Sequence, residues 1–81
     1  MKVIVENPLN AYHSPIAISL YVNMLNKIVQ CNDEKELRKA MKFISMDYPV
    51  TFNSLFDYGF GRDYMWVRER ENCKPLLLVE F

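Results

Sequence analysis

The sequence predicts a small α+β fold: a three-stranded, mostly antiparallel sheet with two to three helices packed on one face, in the order β-α-α-α-β-β. Three observations lead to this prediction. A short β-branched run begins the chain, apolar residues recur at helical spacing in its middle, and polar and apolar residues alternate towards its end. Because the chain has 81 residues, 51% of them hydrophobic, we expect a single domain over residues 1–81.

The first half of the chain predicts one strand and two helices. The β-branched run at residues 3–5 indicates a short strand, which Asn7 and Pro8 end. Ser14 begins the first helix, because its oxygen accepts a free backbone N–H and the proline that follows has no N–H to lose. Apolar residues cover most of this helix, so we expect it to be covered on two sides. Asp33, with Glu36 three residues later, forms a capping-box pattern that begins the second helix.

The second helix has one apolar face and is followed by an ambiguous segment. Pro49 ends the helix, since the residue before a proline is disfavoured in the helical conformation. Residues 51–58 then fit a two-turn helix with Gly59 as a left-handed stop, and a strand limited to residues 50–52 is the alternative. The positions of the second helix expected to face the core are Leu37, Ala40, Met41 and Ile44, with Phe43 beside them.

The end of the chain predicts a β-hairpin. Residues 63–70 alternate between the two faces of a strand, residues 76–81 are almost continuously apolar, and residues 71–75 supply the turn. Every second residue of such a hairpin faces the helices. The side chains expected on the helix side are Met65, Val67, Leu77, Val79 and Phe81.

The opposite face of this sheet is predicted to be too apolar to be covered only by solvent. It collects Ile4, Tyr64, Trp66, Leu76 and Leu78, rimmed by Lys2, Glu6, Arg68, Arg70 and Glu80. Aromatic and arginine side chains are over-represented at binding hot spots, and an apolar centre within a charged rim is the usual anatomy of a protein interface. The alternative is that the first helix covers part of this face. The predicted partner-binding residues are Tyr64, Trp66, Arg68, Arg70, Leu76 and Leu78.

Catalytic or metal-binding residues are not indicated by any motif. His13 is the only histidine, and no spacing places an orienting partner beside it. Cys31 and Cys73 do not form a CxxC pair, so a structural zinc site lacks ligands. We expect both thiols to be reduced, although their spacing leaves a disulfide open. The sequence therefore predicts a protein that is not an enzyme and that uses no metal or cofactor.

Charge and hydropathy narrow the class of partner. Ten Lys and Arg against ten Asp and Glu give a formal net charge of zero, so no global field attracts nucleic acid. The longest apolar run is too short for a membrane helix, and the first residues lack a signal-peptide core. We therefore expect a cytoplasmic protein without membrane partners.

These observations together predict a small non-catalytic protein–protein interaction module. We expect an inhibitor or adaptor of the type that phages and mobile elements carry, acting on a host protein through the aromatic and arginine face. A homodimer through the same face is a close variant of this prediction. The alternative is a single-stranded nucleic-acid-binding protein, in which Tyr64 and Trp66 stack on bases while Arg68 and Arg70 hold phosphates.

Overall fold

The computed structural model describes residues 1–9, 14–47 and 49–81. These residues form three helices and an antiparallel sheet of four strands. The predicted α+β class is confirmed, and the sheet has one strand more than the sequence predicted. The prediction for His13 lies outside the described residues. In chain order the elements are β1 (Lys2–Val5), α1 (Pro15–Val29), α2 (Glu34–Asp47), α3 (Pro49–Leu55), β2 (Phe56–Phe60), β3 (Tyr64–Glu69) and β4 (Pro75–Glu80).

The sheet has the strand order β1-β4-β3-β2, and each neighbouring pair is antiparallel. β2 and β3 form one hairpin, β3 and β4 form another, and β1 pairs with the far side of β4. Val3 of β1 lies opposite Val79 of β4, which lies opposite Met65 of β3. The first and last strands of the chain are therefore neighbours, and β1 forms one edge of the sheet.

Side-chain caps fix where α1 and α2 begin. The hydroxyl of Ser14 accepts the N–H of Ala17 at 3.4 Å, and the carboxylate of Asp33 accepts the N–H of Glu36 at 2.9 Å. Both bonds satisfy donors that a helix leaves without intrahelical partners at its start. The predicted starts of the two helices are confirmed.

α1 is covered on one side by the described residues, so the prediction that it would be covered on two sides is wrong. Ile18, Val22 and Val29 are exposed, because α2, α3 and the sheet all contact the same stripe of α1. On α2, Phe43 is also exposed rather than placed beside the core. The buried residues of α1 and α2 are Ala17, Leu20, Met24, Ile28, Leu37, Met41 and Ile44.

The helices bury the inner face of the sheet. Residues from all three helices pack in one cluster with the inward residues of β2, β3 and β4. The aromatic pair Phe52 and Phe56 joins α3 to β2 in this cluster, with ring centroids 5.5 Å apart. The sheet side chains in the cluster are Phe56, Met65, Val67, Leu76, Leu77 and Val79.

The segment predicted as a helix over residues 51–58 is split between a helix and a strand. α3 ends at Leu55, and β2 begins at the next residue. The predicted third helix is therefore confirmed over residues 51–55, whereas its extension over residues 56–58 and the alternative strand at residues 50–52 are wrong. Gly59 is not a left-handed helix stop, because neither glycine has a positive φ. It lies inside β2, opposite Trp66.

Leu76 belongs to the core, which corrects its predicted place on the open side of the sheet. Val67 lies opposite Leu77, whereas Arg68 lies opposite Pro75, so Leu76 is an extra residue in β4. Such a bulge interrupts the alternation of side chains between the two faces. Leu76 is fully buried beside Leu77, and this bulge is the reason.

Candidate functional site

The side of the sheet that faces away from the helices carries the candidate site. We call it the open face. Met65, Val67 and Val79 point from the sheet into the helix-covered core, so their neighbours in each strand point the other way. Buried residues of all three helices pack on the core side of the sheet. The open face consists of Lys2, Ile4, Asp57, Gly59, Tyr64, Trp66, Arg68, Leu78 and Glu80.

An apolar row crosses the middle of the open face. Ile4 of β1 lies opposite Leu78 of β4, Leu78 lies opposite Trp66 of β3, and Trp66 lies opposite Gly59 of β2. Directly opposed side chains on one face of an antiparallel sheet lie in contact range. Ile4, Leu78 and Trp66 are all half-buried, so each keeps part of its surface accessible. The row is therefore continuous across the four strands.

Trp66 lies flat across β2. A methyl group at Gly59 would lie 2.5 Å from Cζ2 of Trp66 and 2.7 Å from Cε2, so the indole occupies the space a side chain would take. The guanidinium carbon of Arg68 lies 4.8 Å from the centre of the same ring. A cation at this distance from an indole is attracted by the ring's electron-rich face. Trp66 thus contacts both the strand and a cation.

Asp57 holds the two arginines of the site. Arg68 donates to Oδ2 of Asp57 through Nη2 at 2.8 Å and through Nε at 3.2 Å. Nη2 of Arg70 lies 3.4 Å from Oδ1 of the same carboxylate and donates to the carbonyl of Phe56 at 3.3 Å. Two cations therefore share one anion, which lowers the positive charge that this edge of the face offers to a phosphate.

Tyr64 is the most accessible aromatic residue of the face, with 42% of its surface exposed. Its ring covers Gly61, in the turn between β2 and β3, as the indole of Trp66 covers Gly59. The carbonyl of Tyr64 accepts the N–H of Gly61 at 2.8 Å, which closes this turn. The two glycines of the chain thus support the two aromatic rings of the face.

A cleft of about 450 Å³ opens at the end of the sheet beside Tyr64. Tyr64, Leu78 and Phe81 line it, together with the acidic residues Asp63 and Glu80. Glu80 lies directly opposite Tyr64, and Asp63 precedes Tyr64 in the chain. The cleft therefore combines an aromatic lining with two acidic groups.

The structure brings together five of the six predicted partner-binding residues. Tyr64, Trp66, Arg68 and Leu78 lie on the open face, and Arg70, one residue beyond β3, joins its edge through Asp57. Leu76, the sixth predicted residue, is buried in the core on the helix side of the sheet.

Asp57 and Gly59 are not among the predicted site residues, because β2 was not predicted from the sequence. A signal for this strand is present in residues 56–60, where the aromatic residues Phe56, Tyr58 and Phe60 alternate with Asp57 and Gly59. Alternation of period two is typical of a strand with one buried face. The structure places the three aromatic side chains on the helix side, as this pattern indicates.

The cysteines lie away from the open face, and both are free thiols. Cys31 is half-buried after α1, and its thiol donates to the carbonyl of Lys27 at 3.2 Å. Burial raises the pKa of this thiol, and the carboxylates of Glu36 and Asp33 raise it further. Cys73 is exposed in the turn between β3 and β4 and has a φ of 57°. The raised pKa makes Cys31 a poor nucleophile at neutral pH.

In the part of the chain that the structure describes, no three His, Cys, Asp or Glu side chains are close enough together to hold a metal ion. Within the same residues, no helix has the length and apolar character needed to cross a bilayer.

The family model described as "Domain of unknown function (DUF8466)" matches residues 1–80, which is nearly the whole chain. No curated protein and no solved structure matches. The open face and its cleft must therefore be interpreted from their own chemistry.

Proposed function

The chain belongs to the DUF8466 family, and we propose that it acts as a small non-catalytic protein-binding module through the open face. The observation that carries this proposal is the apolar row Ile4, Leu78 and Trp66, flanked by charged residues and left uncovered by the helices. An apolar centre within a charged rim is how protein interfaces are generally built.

The fixed positions of Trp66 and Arg68 support the proposal. Trp66 lies on Gly59, and Arg68 is held by both the indole and Asp57. Side chains that are ordered before binding lose less conformational entropy when a partner arrives. Tryptophan and arginine are also the residue types that most often contribute strongly to binding. The open face thus offers rigid anchors to a protein surface.

The charge arrangement favours a protein over a nucleic acid. Arg68 and Arg70 already share the carboxylate of Asp57, and Glu80 adds a second negative charge to the face. Nonspecific nucleic-acid affinity depends on cations that are available to neutralise phosphates. With a formal net charge of zero, the chain has no surplus of such cations.

The proposed role is that of an inhibitor or adaptor, of the type carried by phages and mobile elements, that occupies a surface of a host protein. The proposed compartment is the cytoplasm, and the two free thiols support a reducing environment. A homodimer through the same face is the variant that sedimentation distinguishes, because self-association depends on protein concentration.

The experiment compares capture by three forms of the tagged protein from a native lysate, with nuclease added to half of each sample. Leu78→Lys places a charge in the centre of the apolar row. Phe43→Lys makes the same chemical change at an exposed apolar residue of α2, and serves as the matched control. Candidate partners are then purified and titrated against each form by calorimetry.

We expect a nuclease-resistant protein that binds the unmodified chain and Phe43→Lys directly, and that binds Leu78→Lys at least about tenfold more weakly. Three results oppose the proposal. A partner that is lost on nuclease treatment indicates nucleic-acid binding instead. If Leu78→Lys and Phe43→Lys lose the partner equally, or if Leu78→Lys still binds it with full affinity, the open face is not the binding surface.

A further inference from the structure

The cleft beside Tyr64 carries charges that the described residues do not neutralise. Within the described parts of the chain, neither Asp63 nor Glu80 forms an ion pair, whereas Asp57, on the same face, is paired with two arginines. Both acidic residues line the cleft: Glu80 lies opposite Tyr64 in the sheet, and Asp63 directly precedes Tyr64. The cleft therefore combines aromatic residues with two acidic residues that have no ion-pair partner among the described residues.

Two cations lie near the cleft but do not line it. Lys2 of β1 lies opposite Glu80 on the side away from Tyr64, and Arg62 directly precedes Asp63. Both side chains are exposed to solvent. Since neither is within ion-pair distance of a carboxylate of the cleft, the two acids remain available to a ligand.

We propose that this cleft receives an arginine side chain of the partner protein, with its guanidinium against the ring of Tyr64 and within reach of Asp63 and Glu80. The inference rests on the proposed function, because it assumes a protein partner at the open face. An aromatic ring attracts a cation over its face, and a carboxylate binds a guanidinium through charged hydrogen bonds. The cleft offers both kinds of group together.

Arginine fits the cleft better than lysine for two reasons. Its planar guanidinium stacks on an aromatic ring and offers five donors, enough to bond two carboxylates at once. The guanidinium is also more weakly hydrated than an ammonium group, so it loses less hydration free energy when it enters an apolar cleft. Leu78 and Phe81 are the apolar residues of the cleft lining.

The test measures binding of a small probe and needs no partner. Nα-acetyl-arginine amide is titrated into the full chain, and binding is followed by the backbone amide shifts in NMR spectra. Nα-acetyl-citrulline amide is the matched control, because citrulline keeps the shape of arginine without its charge. The chain variants are Asp63→Asn, Glu80→Gln and, as a control acid in the exposed β3–β4 turn, Glu71→Gln.

We expect saturable shifts at Tyr64, Leu78 and Phe81 with the arginine probe, and binding of the citrulline probe weaker by about fivefold or more. Asp63→Asn and Glu80→Gln each weaken arginine binding by about two- to fivefold, and Glu71→Gln leaves it unchanged. Lys2→Ala tightens binding, since it removes a like charge opposite Glu80.

Equal binding of both probes, shifts confined to other parts of the chain, or unchanged binding in both acid variants overturns the inference. The spectra themselves show whether each variant is folded, so a misfolded variant is not counted as a loss of binding. Failure of this test leaves the capture experiment with Leu78→Lys unaffected. If the capture experiment fails while the arginine probe still binds in the cleft, the open face is not the protein-binding surface. The preference of the cleft for arginine over citrulline then still stands.

Discussion

Replacing Gly59 by alanine tests whether the open face depends on the contact between Trp66 and β2. The added methyl group would lie 2.5 Å from the indole, whereas ordinary contacts of this kind are 3.4–4 Å long. The ring must therefore move by about 1 Å or rotate away from the strand. Either movement also disturbs Arg68, which lies against the same ring.

The expected magnitude combines two opposing contributions. Overpacking a well-fitted contact costs about 1 to 3 kcal/mol. Replacing glycine by alanine in a strand returns about 0.5 to 1 kcal/mol, because alanine has less backbone freedom to lose on folding. We expect a net loss of about 1 to 2 kcal/mol in the free energy of unfolding, which for a chain of this size lowers Tm by about 5 to 15 °C.

Urea denaturation followed by circular dichroism measures this loss, and fluorescence reports on the ring directly because Trp66 is the only tryptophan. The emission of folded Gly59→Ala is expected to shift to longer wavelength as the indole becomes more exposed. A double-mutant cycle with Trp66→Ala supplies the control. In that background Gly59→Ala is expected to be neutral or stabilising. The reasoning is refuted if Gly59→Ala is as stable as the unmodified chain, or if its cost is the same with and without the indole.

Three further predictions concern the core, a cap and a thiol. Leu76→Ala is expected to lower the free energy of unfolding, measured by urea denaturation, by about 2 to 4 kcal/mol, because Leu76 is fully buried. Leu78→Ala is expected to lower it by about 1 kcal/mol or less, because Leu78 is half-buried. Equal losses in the two variants contradict the bulge in β4. Asp33→Ala is expected to lower the free energy of unfolding by about 1 kcal/mol, because it removes the side-chain cap of α2. Asp33→Asn keeps a capping oxygen and is expected to lower it much less. Urea denaturation of both variants measures the difference. Because the pKa of the Cys31 thiol is raised, this thiol is less often a thiolate near pH 8, and iodoacetamide should modify it more slowly than the exposed Cys73. Mass spectrometry of the two single-cysteine variants measures both modification rates. Faster modification of Cys31 than of Cys73 contradicts the raised pKa of Cys31.

Those parts of the fold that local signals determine were predictable from the sequence. Ser14 and Asp33 carry oxygens that cap helices wherever the rest of the chain lies, and both helices begin there. The hairpin of β3 and β4 was likewise predictable from its alternation. β2 was missed because its five residues follow α3 without a turn residue between them, and the glycine within it suggested a helix end.

The errors in the predicted site have a different cause. Leu76 was placed on the open face because strict alternation was assumed, and the bulge at Leu76 of β4, opposite Val67 and Arg68, breaks that alternation. Strand alternation does not reveal a bulge, since its position depends on how two strands pair. The pairing of Asp57 with Arg68 was out of reach for the same reason, because it depends on the register between β2 and β3.

β2 also changes what the open face can do. Without this strand, β3 would be an edge of the sheet, and Trp66 and Arg68 would be two flexible exposed side chains. β2 places Gly59 under the indole and Asp57 against the guanidinium, so each side chain acquires a fixed neighbour. Because side chains that are already ordered lose less entropy on binding, the strand turns two exposed residues into a preorganised surface. Gly59→Ala leaves Trp66 and Arg68 in the sequence but disturbs their fixed positions. Comparing its effect on partner affinity with its effect on stability therefore separates the contribution of preordering from that of the contacts that the two side chains make with the partner.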